Sequence, residues 1–211
     1  MRLLLDIGNT RIKWAWTQGE ELLEPGELTH RDEPLDELVE LMNLAQHAPE
    51  DIFAVNVAGA ELGDAISGAI RSRVAKPVKF MVTSEKVGEV SCGYSDCSQL
   101  GVDRWAAIIG AWSQYQTALC VVDAGTAITV DLITAAGQHL GGYIAPGVHL
   151  MNEALKRETG DIERLAARTG LRGLESSAPG TSTEAAVSHG AILAVTGLID
   201  RGAGVLAELV T

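Results

Sequence analysis

The stretch Leu3-Leu-Leu-Asp-Ile-Gly-Asn-Thr10 decides the fold, because the chain repeats its pattern at Leu119-Cys-Val-Val-Asp-Ala-Gly-Thr126. Each copy is an apolar run that ends in a carboxylate, a glycine and a hydroxyl. Each is followed by a segment that alternates like a second strand. A turn of this composition between two strands can hold a metal-bound phosphate. Two such turns could grip a nucleoside triphosphate from both sides, so the repeat predicts a phosphotransferase cleft between two related halves.

Alternation and helical spacing extend this pattern over the rest of the chain. Strands are predicted over 3–7, 11–16, 21–29, 51–57 and 79–83 in the first half, and over 118–123, 128–132 and 138–144 in the second. Helices are predicted over 34–46, 61–72, 105–115, 146–158 and about 183–209. Four glycines in the last of these predict that its final part breaks. The repeat predicts two β-β-β-plus-helix halves, 1–115 and 116–211.

Composition and charge reduce the number of possible classes of function. The chain has 211 residues, of which 46% are apolar and 21% charged, and a net charge of −12. No cluster of Lys and Arg stands out, which excludes a nucleic-acid groove. Phosphate must therefore be held mostly by backbone N–H groups, hydroxyls and a bound cation, with few basic side chains.

Three features of the sequence bear on the cellular location of the protein. No apolar stretch approaches the roughly 20 residues of a membrane span. The chain has an odd number of cysteines, and their spacing is not that of a metal site: Cys92, Cys97 and Cys120. Asp6 interrupts the only apolar run near the N-terminus, which argues against a signal peptide. These features predict a cytoplasmic protein without a membrane contact.

Four motifs then occur in a fixed order, together with Tyr94 and Thr183: Asp6-x-Gly8-Asn9-Thr10, Gly101-x-Asp103-Arg104, Asp123-x-Gly125-Thr126 and Gly141-Gly-Tyr-Ile-Ala-Pro-Gly147. With these motifs the chain resembles type III pantothenate kinase over about residues 1–195. The resemblance implies an α/β fold of two ribonuclease-H-like halves, with mixed sheets flanked by helices, as in the actin-like and sugar-kinase-like ATPases. It also implies ATP-dependent phosphorylation of pantothenate, the first step of coenzyme A synthesis.

The resemblance assigns the phosphate and metal sites. ATP would be bound by the first loop and by part of the second, that is by Asp6, Ile7, Gly8, Asn9, Thr10, Arg11, Ile12, Lys13, Gly125 and Thr126. Asp6 would act in catalysis by positioning Mg²⁺, directly or through water, and Asp123 would hold a monovalent cation, K⁺ or NH₄⁺. Structural alternatives stay open at this point: Asp6 as a turn cap, Lys13 as a solvated strand charge, and Thr126 as a residue that starts a strand.

The resemblance also assigns the pantothenate site, with Asp103 as the general base that takes the proton of the attacking hydroxyl. The residues expected to contact pantothenate are Tyr94, Gly101, Val102, Asp103, Arg104, Ile144 and Thr183. The alternatives are a helix N-cap for Asp103 and Thr183, and a surface ion pair for Arg104. In this family the pocket lies at a dimer interface, so a homodimer is expected, with Trp105 and helix 105–115 as candidate contacts.

Two further expectations follow from the resemblance. The second half ends before the family's last strands and their Thr-Gly-Gly turn beside the adenine site, so nucleotide binding by this form is expected to suffer. Two other functions stay open: a non-catalytic binding or regulatory accessory protein on the same fold, and a sugar kinase or phosphatase of the same superfamily.

Overall fold

The computed structural model describes residues 1–29, 38, 40–44, 46–158 and 179–210. These residues form two compact units, Met1–Ser84 with Ser98–Ala106, and Glu85–Cys97 with Ala107–Thr211. Parts of the predicted helix 34–46 and all of the segment 159–178 lie outside the described residues.

The first unit is built on a five-stranded sheet in the order β3-β2-β1-β4-β5. Its strands are β1 (Arg2–Ile7), β2 (Arg11–Gln18), β3 (Glu21–Thr29), β4 (Asp51–Asn56) and β5 (Val78–Phe80). The first three are antiparallel neighbours, whereas β4 and β5 are parallel to β1. Helix α1 (Ala60–Val74) makes the crossover between β4 and β5.

The hydrophobic core of this unit explains why apolar residues occur at every second position of β2. Ile12, Trp14 and Trp16 point to one side of β2 and are buried, whereas the residues between them are less buried. Ile66 and Ile70 of α1 join the same cluster of buried residues. Trp16 is fully buried, and its indole N–H donates to the Met42 carbonyl at 2.9 Å, which satisfies the one polar atom of that side chain.

The second unit repeats the opening of the first. Its three-stranded antiparallel sheet has the order β10-β9-β8. A two-stranded hairpin in the same unit was not predicted. The strands are β6 (Lys86–Val87), β7 (Val90–Ser91), β8 (Leu119–Ala124), β9 (Ala127–Ile133) and β10 (His139–Pro146). Among the described residues, this sheet has no counterparts of β4 and β5.

Three helices complete the described chain: α2 (Val102–Tyr115), α3 (Val148–Glu158) and α4 (Thr183–Leu209). Trp105 and Ile108 of α2 are fully buried within the chain, so these two side chains are not exposed for a dimer contact, whereas Tyr115 at the end of the same helix is 61% exposed. Together, the strands and helices confirm an α/β fold of sheets flanked by helices, in which the first sheet is mixed and the second is antiparallel.

Helix α4 corrects two expectations. It runs unbroken from Thr183 to Leu209, although it contains the glycines that predicted a break. By length and composition it is also apolar enough to cross a membrane, contrary to the prediction that no segment is. Its Leu206 joins a buried cluster with Ile128 and Val130 of β9, so apolar residues of this helix serve to pack it on the sheet.

Candidate functional site

The first turn joins β1 to β2 and places a carboxylate beside a cation. Asp6 lies opposite Lys13 in the strand register, and Lys13 Nζ is 4.0 Å from Asp6 Oδ2. Both side chains are about half exposed, so this pair is weak and both groups face solvent. The Gly8 N–H donates to the Arg11 carbonyl at 3.0 Å and closes the turn.

Not every residue of this loop offers its side chain to a ligand. Ile7 and Ile12 are fully buried in the core. Any phosphate contact from these two positions must therefore come from the backbone. Asn9 is exposed, and Thr10 is half-buried.

Asp103 lies in the first turn of α2. The Trp105 N–H donates to the Gly101 carbonyl at 3.0 Å, so the helix starts after Gly101, and Asp103 is its second residue rather than its N-cap. Asp103 Oδ1 accepts a hydrogen bond from the Arg104 backbone N–H at 2.7 Å. A carboxylate at this position is also stabilised by the helix dipole.

Steric crowding explains the glycine at position 101 in the motif around Asp103. A Cβ atom on Gly101 would lie 2.6 Å from Asp103 Oδ1, closer than two such atoms can approach. Glycine at 101 therefore leaves room for the carboxylate in its observed position. The next residue, Arg104, is buried at 6% exposure, which rules out a surface ion pair.

The second turn joins β8 to β9 and is one residue tighter than the first. Asp123 pairs with Thr129 in the register, whereas Asp6 pairs with Lys13. The Gly125 N–H donates to the Ala127 carbonyl at 3.0 Å. Asp123 and Thr126 are both exposed at this turn, where a cation and a phosphate can reach them.

Gly147, the last residue of the glycine-rich motif, directly follows β10 and contacts this second turn. The Gly147 N–H donates to the Thr126 carbonyl at 2.9 Å. A Cβ atom on Gly147 would lie 2.3 Å from the Gly125 carbonyl oxygen and 2.7 Å from that of Thr126. Gly147 is thus required for the close approach of two backbone segments, and it brings two of the sequence motifs together.

Tyr94 stacks on a histidine that the sequence did not single out. Its ring lies 5.9 Å from the His139 ring, with an angle of 19° between the planes. His139 Nε2 is 3.0 Å from Oδ1 of Asp131, and both residues are buried. One signal could have found this pair: Asp131 interrupts an apolar run in β9.

Thr183 and Ile144 occupy different settings in the second unit. The N-cap of α4 is Ser182, whose hydroxyl accepts the Ala185 N–H at 3.1 Å, so Thr183 is not needed as a cap. Thr183 lines a groove of about 390 Å³ between α3 and α4, together with apolar side chains that include Met151 and Leu155. Ile144 is 63% exposed.

The predicted site residues divide between the two units. Asp6 to Lys13 and Gly101 to Arg104 belong to the first, and Tyr94, Asp123 to Thr126, Ile144 and Thr183 belong to the second. Among the described residues, no three His, Cys, Asp or Glu side chains are grouped as a metal site. Mg²⁺ needs no such group in a phosphotransferase, since one or two carboxylates and the substrate phosphates suffice to hold it.

A solved structure from Sinorhizobium meliloti, provisionally assigned as a 2-dehydro-3-deoxygalactonokinase, superposes with a TM-score of 0.57 at 11% identity, over 99% of this chain and 82% of that one. The likeness shows the fold alone. With the 3-2-1-4-5 sheet and the repeated Asp-x-Gly turn, it defines the class of fold, which is that of the actin-like and sugar-kinase-like ATPases.

Sequence comparison gives the family within this class. The model of type III pantothenate kinase matches residues 2–203. The type III pantothenate kinase of Halorhodospira halophila is 38% identical over 95% of this chain and 80% of its own length, and that of Pseudomonas putida 37% over 93% and 78%. The chain belongs to the type III pantothenate kinase family. A relative in Aromatoleum aromaticum is 40% identical over 77% of this chain, and the match spans 65% of that relative's length.

Proposed function

We propose that this chain transfers the γ-phosphoryl group of ATP to the primary hydroxyl of pantothenate, giving 4′-phosphopantothenate and ADP. The observation that carries the proposal is the carboxylate of Asp103, which accepts the Arg104 N–H in the first turn of a helix, in a chain of this kinase family. Phosphoryl transfer needs little covalent chemistry from the protein, so positioned charges and a base account for most of the catalysis.

Asp103 is the proposed general base. Among the described residues, a hydrogen bond is recorded only for Oδ1, which leaves Oδ2 to accept the proton of the pantothenate hydroxyl. As that proton moves to Asp103, the hydroxyl oxygen bonds to the γ-phosphorus. The bond between this phosphorus and the bridging oxygen breaks, and ADP leaves.

The two turns are the proposed phosphate and cation sites. Asn9, Thr10 and Lys13 would contact the phosphates at the first turn, and Thr126 at the second. Mg²⁺ bound with ATP would neutralise the charge that develops on the phosphates, and Asp6 would hold it, directly or through water. Asp123, exposed at its turn, would hold K⁺ or NH₄⁺. A cation in this role suits a chain with a net charge of −12.

Pantothenate is proposed to bind Tyr94, Arg104, Ile144 and Thr183. The burial of Arg104 supports this role, because a buried guanidinium pairs strongly with a carboxylate or amide oxygen. Thr183 borders the largely apolar groove between α3 and α4, which suits the branched apolar part of pantothenate.

We also propose a cytoplasmic homodimer. Large apolar side chains are exposed on α4, with Leu193 at 69% and Leu209 at 62%, and such surface is typical of protein contacts. No disulfide joins the three cysteines, which suits a reducing compartment. Sedimentation of the purified protein tests the dimer, and a monomer at micromolar concentration would contradict it.

The test of the function is an assay of ADP release with pantothenate, ATP and Mg²⁺, with and without K⁺. Asp103→Asn is expected to lower turnover by about 10²–10⁴-fold, because the amide cannot take the proton. Asp64→Asn, on the exposed side of α1, is the matched control and is expected to leave turnover unchanged. Equal turnover in Asp103→Asn and the wild type would refute the base.

The same assay separates the other functions. An accessory protein would bind pantothenate or ATP without turnover, and calorimetry would detect that binding. A sugar kinase would release ADP with a sugar or sugar acid rather than with pantothenate, which a panel of acceptors would reveal.

A further inference from the structure

A buried carboxylate–histidine pair lies in the second unit, apart from the phosphate turns. Asp131 of β9 is 2% exposed and His139 of β10 is fully buried. His139 lies opposite Ile133 in the register, so it is the diagonal neighbour of Asp131 on one face of the sheet. Polar groups are costly to bury unless they are hydrogen-bonded, and the 3.0 Å contact between Nε2 and Oδ1 meets that need.

The second nitrogen of His139 faces the segment that carries Tyr94. The Gly93 backbone N–H donates to Nδ1 at 3.4 Å. Since Nδ1 accepts, the proton of a neutral imidazole must lie on Nε2, where it is donated to Asp131. Asp131 therefore fixes both the orientation and the tautomer of the ring.

The backbone of the same segment is docked on the β9–β10 hairpin. A Cβ atom on Gly93 would lie 2.0 Å from the His139 carbonyl oxygen, and one on Gly137 would lie 2.6 Å from that of Glu89. The Ser91 N–H donates to the Gly137 carbonyl at 2.9 Å. Two glycines and two hydrogen bonds thus hold the segment in place, and the Tyr94 ring lies nearly parallel to the imidazole.

We propose that His139 and Asp131 are positioning residues for Tyr94, and that they set the orientation in which its ring meets pantothenate. This inference rests on the proposed function, because it assigns Tyr94 to the pantothenate pocket. Neither residue takes part in proton transfer. Their effect is on pantothenate affinity, whereas ATP binds elsewhere.

His139→Gln is the first variant. The glutamine amide can reach Asp131, but it provides neither the ring that stacks on Tyr94 nor the acceptor for the Gly93 N–H. The KM for pantothenate is expected to rise about tenfold, with kcat and the KM for ATP within about twofold, since a loss of uniform binding changes KM alone. His47→Gln is the matched control, because His47 contacts Trp16 and Glu24 in the first unit.

A double-mutant cycle shows whether the effect passes through Tyr94. In a Tyr94→Ala background, His139→Gln is expected to cause no further rise in the KM for pantothenate, because the group that it positions is gone. An equal rise in both backgrounds, or no rise in the wild-type background, would overturn the proposal. So would equal rises in the KM values for pantothenate and ATP, which indicate a merely structural role.

Two measurements keep the proposal testable if His139→Gln does not fold. Asp131→Asn is expected to raise the KM for pantothenate in the same direction, by about threefold, because the carboxamide holds the Nε2–H less strongly. Nitrogen-15 NMR of labelled histidine is expected to show the proton of His139 on Nε2, and a proton on Nδ1 would overturn the proposal. A wild-type chain that neither turns over nor binds pantothenate would defeat the proposed function as well, whereas unchanged kinetics in an active variant would defeat only the positioning role.

Discussion

At the residue scale, the space left by a missing side chain decides where the proposed base can point. Gly101 and Asp103 are two residues apart, and the carboxylate of Asp103 occupies the volume that a side chain at 101 would need. The Arg104 N–H and the helix that begins there hold the carboxylate, and glycine at 101 leaves room for it in this position.

Gly101→Ala is expected to displace the Asp103 carboxylate and to lower kcat at least about tenfold, because a small misplacement of a catalytic group is costly. Steady-state kinetics with pantothenate and ATP measures the change. Gly110→Ala in the same helix is the control, since a Cβ there would meet nothing within 4 Å. Wild-type kcat in folded Gly101→Ala would show that the carboxylate position does not depend on this contact.

Cys97 gives a second expectation at this scale. A hydrogen bond with Cys92, and then burial, raises the pKa of the Cys97 thiol to about 11. Because the thiolate is the nucleophile, alkylation by iodoacetamide at pH 8 is expected to be about a hundredfold slower than at an ordinary cysteine, and to accelerate up to about pH 11. Mass spectrometry of the labelled protein measures the rate, with Cys97→Ser to assign the site. Fast labelling of Cys97 at pH 8 would contradict the raised pKa.

The residues proposed to carry the chemistry lie in recognisable sequence motifs, whereas those proposed to support them do not. Asp6 and Asp123 lie near the ends of strands and Asp103 lies in the first turn of a helix, so their positions can be inferred from the local pattern. Asp131 and His139 meet through the register of two strands, which the sequence does not specify. Their roles, like those of the predicted site residues, await the experiments above.

At the scale of the element, helix α4 shows how the setting of a glycine determines its effect. Gly197 faces open space, whereas a Cβ on Gly202 would lie 2.8 Å from Val130 Cγ1. Glycine lowers helix propensity wherever it occurs, but at 202 it is also needed for close packing on β9. The helix is continuous because tertiary packing outweighs low propensity.

Gly197→Ala is expected to raise the free energy of unfolding by roughly 0.5–1 kcal/mol, through helix propensity alone. Gly202→Ala is expected to lower it by roughly 1–3 kcal/mol, because the added methyl group overpacks the contact with Val130. Chemical denaturation of both variants measures the two changes. Shifts of the same sign would show that the helix does not pack on β9 as described.

The elements themselves were largely predictable. The strands of both repeats were predicted within a few residues, because their alternation reflects burial on one face, as in β2. The strands β6 and β7 were missed, since two residues are too few to show a period. The break predicted in α4 was wrong because propensity was weighed without the sheet beneath the helix.

At the scale of the whole molecule, the net charge of the protein has the sign that repels anionic substrates. The chain carries −12 and the proposed substrates, ATP and pantothenate, are both anions. Long-range repulsion opposes their approach, and only local groups such as Lys13 and a bound cation counteract it.

Added choline chloride, at constant K⁺, is therefore expected to raise kcat/KM for ATP up to severalfold, since salt screens the repulsion. Steady-state kinetics over a series of salt concentrations measures the effect. Replacement of choline by K⁺ at equal ionic strength is the control, and any additional gain reports the monovalent cation at Asp123. A fall in kcat/KM with choline chloride would indicate a basic binding surface instead.

The contacts of Gly93 and Gly137 also bear on how this gene can recombine. A Cβ on either glycine would collide with a backbone carbonyl of the other segment. The contact between the Tyr94 segment (Glu85–Cys97) and the β9–β10 hairpin is therefore between backbones, and no side chain can move to relieve a mismatch. In a chimaera whose crossover lies between residues 97 and 137, the segment that carries Tyr94 and the hairpin would come from different parent proteins. Their backbones would then not be matched to each other. Crossovers before residue 85 or after 146 would pass both segments on together. In a shuffled library, viable chimaeras are therefore expected to inherit this pair of segments as a block.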